Sequence, residues 1–329
     1  MEVKKRLDKY DNIRGIGILI VLIVHFDILG IFAGFTHKLL VLSCLPLLFF
    51  VAGYFSKIGP DEPIKSFKRL IIPYIFFYIV GTLFVWLVLG SKVAVPCFFF
   101  KTTMCLWFLM ALFIMKIMLP IFNRFKYPIL ASIICALIMG FINLDPDLLG
   151  LTRCFGYFPL FLVGFYYKET KNNITTPFTK IVDFFNKHYK IISVLIIITI
   201  IAICYKFDFK FFAFRDPYAG NLLYEMIKRL IVIVVQIGIV MIADKVMTNK
   251  NCFLTQFGRN SLSVYLLHVY IFLCLKKIVP HSLKNNLPLS IILIIGLAFL
   301  FTYIFSRDVF TKSINKITDG IYNIIAKPI

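Results

Sequence analysis

Long apolar segments are the feature that most limits how this chain can fold. A helix needs about 20 apolar residues to cross about 30 Å of hydrocarbon, and the 329-residue chain contains roughly ten such segments. They lie near residues 13–34, 39–56, 70–90, 104–122, 128–143, 150–167, 190–206, 222–243, 260–279 and 287–306. These segments predict an all-α integral membrane protein, a bundle of about ten transmembrane helices.

The composition agrees with a membrane setting. Hydrophobic residues make up 60% of the chain and charged residues only 16%, and the mean hydropathy of +0.89 is far above that of a soluble domain. The formal net charge of +20 raises the question of a nucleic-acid partner. No segment places basic residues among stacking aromatics in a polar setting, so membrane topology explains the charge better, and we expect no nucleic-acid partner.

The distribution of basic residues predicts the orientation, because cytoplasmic loops are enriched in Lys and Arg. A cytoplasmic N-terminus puts more basic residues on the inner side than on the outer side, which favours both termini in the cytoplasm and an even number of spans. The inner group includes Lys4, Lys5, Arg6, Lys9, Lys57, Lys65, Lys68, Arg69, Arg124 and Lys126, and the smaller outer group includes Lys92, Lys101, Arg153 and Arg215.

The ends and connections of the chain indicate one domain. The basic N-terminal stretch resembles a signal sequence, but no small-residue cleavage site follows it, so we expect a retained first helix. The connections are too short for a further globular domain. The eight Cys include no C-x-x-C pair. We therefore predict a single multi-pass domain over residues 1–329 in the cell membrane, with no metal site.

Arg14 and His25 belong to the first apolar segment, "YDNIRGIGILIVLIVHFDIL" at residues 10–29. Their spacing corresponds to about three helical turns, so both side chains lie on one face, about 16 Å apart along the axis. Asp11 precedes Arg14 by one turn and can hold its guanidinium. Arg14 alone also fits an ordinary topology determinant. A histidine buried near the bilayer midplane is costly, which favours a functional role for His25.

A second polar group lies on the ninth segment. Ser261, Tyr265 and His268 are four and three residues apart, so they share one helical face. His268 lies at about the depth expected for His25, which suggests that the two histidines line one cavity. The alternative for His268 is a hydrogen-bonded packing residue.

A third polar group lies on the eighth segment, nearer the outer side. Glu225, Arg229 and Gln236 fall on one helical face. Glu225 and Arg229 either neutralise each other as an i, i+4 pair or form, with Gln236, a polar wall for hydroxyl groups.

Six motifs in order along the chain resemble those of the membrane-bound acyltransferase-3 family. The first is "DNIRGIGILIVLIVH", in which a histidine follows an arginine after ten intervening residues. The others are "LPLLFFVAGYF" at 45–55, "KRLIIPYIFFY" at 68–78, "LWFLMALF" at 106–113, "RCFGYFPLFLVGFYY" at 153–167 and "FGRNSLSVYLLH" at 257–268. The chain is most similar to members that O-acetylate sugars, including the fucose O-acetylase-like branch. We expect no appended extracytoplasmic domain, which some relatives carry.

The resemblance implies transfer of an acyl group, usually acetyl, from cytoplasmic acetyl-CoA to a hydroxyl of a cell-surface or lipid-linked glycan. Acetyl-CoA would be the acyl donor and co-substrate, and a glycan or glycolipid the acceptor. His25 would act as a general base toward the acceptor hydroxyl or as a transient acyl carrier, and the pKa of histidine suits this task. Arg14 would contact an anionic part of coenzyme A or orient the thioester carbonyl.

Other basic and polar residues are candidates for the two substrates. The positive-inside bias accounts for the cytoplasmic basic residues as well, but the family has basic residues at positions 68 and 69. The candidates for coenzyme A are Lys68, Arg69, Arg124 and Lys126. The candidates for the acceptor are Glu225, Arg229, Gln236 and Arg153, the last through the family-like pattern R-x-x-G-Y-F-P.

Two other classes of function remain open from the sequence. A glycolipid flippase or polar-solute transporter would also need polar residues around an intramembrane cavity. We find no inverted repeat that would favour it, whereas the line from Arg14 to His25 favours an enzyme. A catalytically inactive scaffold is disfavoured because the motif residues are intact.

Overall fold

The computed structural model describes residues 7–90, 105–171, 178–207 and 209–326. Within these ranges every regular element is a helix, as the apolar segments predict. Several basic residues used to predict the orientation lie outside the described ranges, namely Lys4, Lys5, Arg6, Lys92 and Lys101.

Long helices alternate with short ones along the described chain. In order they are α1 (Asp8–Phe26), α2 (Phe35–Tyr54), α3 (Glu62–Ser66), α4 (Ile72–Leu87), α5 (Trp107–Phe122), α6 (Pro128–Met139), α7 (Leu151–Lys171), α8 (Thr179–Lys206), α9 (Phe209–Phe212), α10 (Leu222–Val246), α11 (Phe253–Arg259), α12 (Ser261–Ile278), α13 (Leu287–Phe305) and α14 (Asp308–Ile325). A π-helical turn, Phe67–Ile71, joins α3 to α4, and a 3₁₀ turn, His281–Asn285, precedes α13.

Each predicted apolar segment overlaps one of these helices. Among the described residues, six helices are long and apolar enough to cross a membrane, and α5 and α6 are shorter apolar helices. The six are Phe35–Tyr54, Glu62–Leu87, Thr179–Lys206, Leu222–Val246, Ser261–Ile278 and Leu287–Phe305. Helix α8 begins at Thr179 instead of near residue 190. Its first turns are amphipathic, with Val182 and Phe185 buried, so a search for continuous apolar residues misses them.

Helix α1 ends at Phe26, whereas the first apolar segment predicts a helix to about residue 34. The carboxylate of Asp27 accepts hydrogen bonds from the backbone N–H groups of Ile31, at 2.6 Å, and Phe32, at 2.9 Å. Gly30 adopts a φ of +65°, a left-handed conformation that glycine reaches without steric cost. The turn that follows Phe26 therefore places His25 in the last turn of α1.

The chain divides into two compact units. The first comprises Met1–Val51, Phe185–Phe209 and Val235–Thr311, and the second comprises Ala52–Phe184, Lys210–Val234 and Lys312–Ile329. Several helices, α10 among them, contribute residues to both units. The expectation of a single domain stays a prediction.

In the first unit, α1 packs against α11, α12 and α13. Two glycines allow the backbones of α1 and α11 to approach closely. A Cβ on Gly15 would lie 2.2 Å from the carbonyl oxygen of Leu254, and a Cβ on Gly258 would lie 1.8 Å from that of Asp11. Since any other side chain would clash with backbone at these points, the glycines set the distance between the two helices.

In the second unit, α7 packs against α5 and α6. A close approach occurs here too, because a Cβ on Gly53 would lie 1.8 Å from the carbonyl oxygen of Phe161. The C-terminal helix α14 is amphipathic, with Thr318 and Tyr322 buried, and the search for apolar segments does not find it. Asp319 of this helix pairs with Lys68.

Candidate active site

Arg14 is held by a carboxylate on its own helix, as its spacing predicts. Its Nη2 donates to Oδ1 of Asp11 at 2.8 Å. Asp11 is fully buried, whereas 24% of the Arg14 side chain is exposed. A buried carboxylate needs a cationic or hydrogen-bonding partner, so Asp11 holds the Arg14 guanidinium in place.

Asp11 has a second arginine partner, which the sequence analysis missed. The Nε of Arg259, the last residue of α11, lies 3.4 Å from Oδ2 of Asp11, and its Nη2 lies 2.6 Å from Oδ1 of Asp8. Arg259 also borders a polar cavity of about 230 Å³. The sequence contains a signal for Arg259, since it precedes Ser261 within the motif "FGRNSLSVYLLH". Its basic charge alone fits a topology determinant equally well.

Asn12 joins α1 to the segment that precedes α11. Its amide nitrogen donates to the carbonyl oxygens of Thr248 and Lys250, both at 3.0 Å, and its side-chain oxygen accepts from the hydroxyl of Thr255 at 2.6 Å. Asn12 and Thr255 are both buried. These bonds satisfy buried polar groups and fix α11 beside the turn of α1 that carries Asp11 and Arg14.

His25 and His268 contact each other directly. Their ring centroids are 5.0 Å apart, and the ring planes meet at 81°. His268 is fully buried, and His25 is partly buried. The two histidines therefore lie at one level within the first unit, while the cavity that we expect them to line stays a prediction.

The tautomer of each histidine follows from its backbone contact. The Nδ1 of His25 lies 2.8 Å from the carbonyl oxygen of Val21, and the Nδ1 of His268 lies 2.7 Å from that of Tyr265. A carbonyl oxygen only accepts hydrogen bonds, so Nδ1 carries the proton in both neutral rings. The lone pair is therefore on Nε2, and Nε2 is the atom that can accept a proton from a hydroxyl group.

The other residues predicted beside His268 have different surroundings. Tyr265 is buried, with its ring centroid 5.9 Å from that of His268. Ser261 is partly buried in the first turn of α12. Ser263, which carries no signal in the sequence, is buried, and its hydroxyl oxygen lies 2.7 Å from the carbonyl oxygens of both Asn260 and Phe305, either of which can accept its one proton. Ser263 thus anchors the start of α12.

Lys68 is paired with α14 in the second unit. Its Nζ lies 2.8 Å from Oδ1 of Asp319 and 4.8 Å from the ring centroid of Tyr322. Arg69 is exposed, and its positive charge repels that of Lys116 in α5. Lys116 has no signal in the sequence, because a single lysine in an apolar segment carries no motif.

Arg124 and Lys126, the other two candidates for coenzyme A, lie in the turn between α5 and α6. Both are exposed, and Nζ of Lys126 lies 5.5 Å from the ring centroid of Tyr127. Tyr127 and Pro128 line an apolar pocket of about 210 Å³. Exposed basic residues here are available for phosphate groups and equally suit the positive-inside bias.

Arg229, a predicted acceptor residue, is 1% exposed. Its guanidinium donates to the carbonyl oxygens of Ala136, at 3.0 Å, and Asp216, at 3.1 Å. It lies 4.9 Å from the ring centroid of Tyr218 and 5.5 Å from that of Phe214. Arg229 therefore joins α6, α10 and the loop between α9 and α10.

Tyr218 completes this arrangement from the loop. Its hydroxyl donates to the carbonyl oxygen of Leu137 at 2.9 Å. Burial raises the pKa of the Tyr218 hydroxyl, and Arg229 opposes that rise. Gly140 is required nearby, because a Cβ there would lie 2.2 Å from the Tyr218 ring.

Glu225 pairs with Lys228 at 2.5 Å, an i, i+3 pair in place of the i, i+4 pair with Arg229 that was one of the two alternatives. Arg229 uses backbone carbonyls instead, since its guanidinium points toward α6. Gln236 is fully buried farther along α10.

Arg153 stacks on Trp107 in the second unit. Its guanidinium lies 4.7 Å from the Trp107 ring centroid, a cation–π geometry. Its Nη2 also lies 3.6 Å from Oδ1 of Asp147. Trp107, which the sequence analysis did not single out, stacks on Tyr157 with centroids 6.5 Å apart.

The helices and the site together define a multi-pass membrane protein in which one helix carries an arginine bonded to a buried aspartate and, about three turns later, a histidine in contact with a second histidine. A family model described as an acyltransferase domain, that of the acyltransferase-3 family, matches residues 7–307. The chain therefore belongs to the acyltransferase-3 family and is a membrane acyltransferase. No curated protein and no solved structure matches the chain significantly.

Proposed function

We propose that this acyltransferase transfers an acetyl group from cytoplasmic acetyl-CoA to a hydroxyl of a cell-surface or lipid-linked glycan. The observation that carries the proposal is the contact between the two histidines, with Nδ1 of His25 bonded to the carbonyl oxygen of Val21 and its ring against that of His268. An acyltransferase that acts on hydroxyl groups needs a base, because an alcohol is a weak nucleophile near neutral pH.

In the reaction we propose, Nε2 of His25 takes the proton of the acceptor hydroxyl as the hydroxyl oxygen attacks the thioester carbonyl. The C–S bond then breaks, and the thiolate of coenzyme A leaves and takes up the proton. An acyl-histidine intermediate on the same Nε2 is the alternative route. In both routes the Nδ1–H bond to Val21 stabilises the ring as it becomes positively charged.

Arg14 would interact with the donor. A guanidinium anchored through Asp11 presents a cation of defined orientation, which suits an oxygen of coenzyme A or the developing charge on the thioester oxygen. Arg69, Arg124 and Lys126 remain candidates for its phosphates because they are exposed. Lys68 would first have to exchange Asp319 for a phosphate.

The candidates for contact with the acceptor stay Arg153, Glu225 and Gln236, and Arg229 would act indirectly. The contacts of Arg229 with Ala136 and Asp216 fit a residue that holds the loop between α9 and α10. We also propose about ten membrane spans with both termini in the cytoplasm, on the strength of the apolar segments and the distribution of basic residues.

The first experiment compares base-labile acetate on envelope glycans from cells that carry the wild-type protein, a deletion or His25→Ala at equal protein level. His188→Ala is the matched control, since His188 lies in α8 and has no assigned role. We expect the deletion to lose the ester, His25→Ala to reduce its formation by about 10²-fold to 10⁴-fold, and His188→Ala to resemble wild type.

Each other outcome has a distinct meaning. If only the deletion loses ester, the protein is needed for acetylation but His25 is not, and the mechanism is wrong. If no strain loses ester, acetyl transfer to glycans is wrong, and loss of succinyl or longer acyl groups is measured next in the same strains.

A further inference from the structure

Arg259 and Arg14 share one buried carboxylate. Oδ1 of Asp11 accepts from Nη2 of Arg14 at 2.8 Å, and Oδ2 lies 3.4 Å from Nε of Arg259. The Asp11 side chain is fully buried, and 43% of the Arg259 side chain is exposed. Each oxygen of Asp11 thus faces a different guanidinium, and Arg259 lies 248 positions from Asp11 along the chain.

We propose that Arg259 is a positioning residue, which acts through Asp11 to set the orientation of the Arg14 guanidinium toward the acyl donor. This inference rests on the proposed function, in which Arg14 contacts coenzyme A or its thioester. Arg259 itself needs no contact with the donor.

The geometry of arginine–carboxylate pairs gives the physical reason. An arginine and a carboxylate tend to form two parallel hydrogen bonds when both oxygens are accessible. Arg259 occupies the side of Asp11 that carries Oδ2, so Arg14 is restricted to Oδ1. Without Arg259, the guanidinium of Arg14 can rotate to bond both oxygens, and its donors then turn from the ligand toward Asp11.

The surroundings hold Arg259 in the place that this role requires. Gly258 lies against the backbone of Asp11, so the residue after it is fixed beside the carboxylate. Asp8 takes the other end of the guanidinium at 2.6 Å. The Asp8 contact lies nearer to solvent and contributes little energy, so the effect of Arg259 passes mainly through the buried Asp11.

The test measures binding of coenzyme A alone to the full-length protein in detergent, by titration calorimetry. The variants are Arg259→Gln, Arg14→Gln and the double variant, and Arg307→Gln is the matched arginine control. Arg307 is exposed and bonds to Tyr303. We expect Arg259→Gln to weaken binding about tenfold, Arg307→Gln to change it less than about twofold, and Arg259→Lys to recover part of the loss.

The double variant separates positioning from direct contact. If Arg259 acts through Arg14, the double variant has nearly the same dissociation constant for coenzyme A as Arg14→Gln, because the effects of coupled residues are not additive. If the two losses add, Arg259 contacts the ligand itself and the inference is wrong. It is also wrong if Arg14→Gln weakens binding and neither Arg259 variant does.

A second readout needs no ligand. Wild type, Arg14→Gln, Arg259→Gln and the double variant give a double-mutant cycle in melting temperature. The cycle reports whether Arg14 and Arg259 are coupled through Asp11. If wild type does not bind coenzyme A, the proposal that coenzyme A carries the donor group is wrong. Additive melting shifts in the cycle would separately reject the positioning role of Arg259. If Arg259→Gln does not fold, Arg259→Lys takes its place in both measurements.

Discussion

Arg14 and Arg229 are both arginines within helices of a membrane protein, yet their guanidinium groups have different partners. Arg14 pairs with a carboxylate, and 24% of its side chain is exposed. Arg229 is 1% exposed, donates to two backbone carbonyls and lies near the rings of Phe214 and Tyr218. The carboxylate of Asp11 neutralises the charge of Arg14, and part of the Arg14 side chain stays accessible to solvent. Arg229 uses its charge to hold neighbouring elements together.

The contrast indicates how to separate functional from structural arginines in this protein. Loss of a structural arginine leaves buried carbonyl groups without donors and lowers stability. Loss of an arginine that contacts substrate lowers activity at nearly constant stability. Variants of Arg14 and Arg229 test this distinction, and variants of Gly258 and Tyr218 test the packing around each arginine.

Arg14→Gln should reduce acyl transfer by about 100-fold or more, because one preorganised donor near developing charge has that effect in other enzymes. The measurement is the rate of coenzyme A release per folded molecule. Arg14→Lys, which keeps the charge but loses the planar fork, should retain more activity. Equal activity of wild type and Arg14→Gln would place Arg14 among the topology determinants.

Gly258→Ala should destabilise the first unit by about 2–4 kcal/mol, since an added methyl group meets backbone that cannot move aside. The Cβ would lie 1.8 Å from the carbonyl oxygen of Asp11. Thermal unfolding in detergent gives the measurement. Gly296→Ala is the control, because nothing lies within 4 Å of a Cβ there. A similar melting temperature for both variants would contradict the close packing of α1 and α11.

Arg229→Met should lower stability by about 2–3 kcal/mol, because the carbonyls of Ala136 and Asp216 lose a buried donor. Activity per folded molecule should change less than about threefold. Arg215→Met is the control, since Arg215 is exposed and lies 3.9 Å from Asp147. A large loss of activity at unchanged stability would instead make Arg229 an acceptor-binding residue and remove the contrast with Arg14.

Tyr218→Phe should have the smallest effect, about 1 kcal/mol for one lost hydrogen bond. The raised pKa of Tyr218 means that folding favours the protonated phenol. Its contribution is complete below the ordinary tyrosine pKa of about 10 and declines as the pH rises through the folded-state pKa. Melting curves across that range should therefore show less alkaline destabilisation for Tyr218→Phe than for wild type, and parallel curves would reject this role.

The features that were predictable from the sequence are local ones. Apolar segments located the long helices, and helical spacing alone predicted the bond between Asp11 and Arg14. The spacing failed for Glu225 and Arg229, because Lys228 offered Glu225 a nearer partner and Arg229 turned toward α6. Polar turns were also missed, as the carboxylate of Asp27 ended α1 inside an apolar segment.

Residues that are close within one helix follow from the sequence, because 3.6 residues per turn fix which side chains share a face. This holds for the face shared by Arg14 and His25 and for the pair of Asp11 and Arg14. The apolar segments are likewise local, since each is one continuous stretch of sequence. The contact between His25 and His268, the Arg259–Asp11 bond and the place of Arg229 depend instead on how helices distant in sequence pack. Glycines such as Gly258 and the shapes of buried side chains decide that packing, and no local period records it.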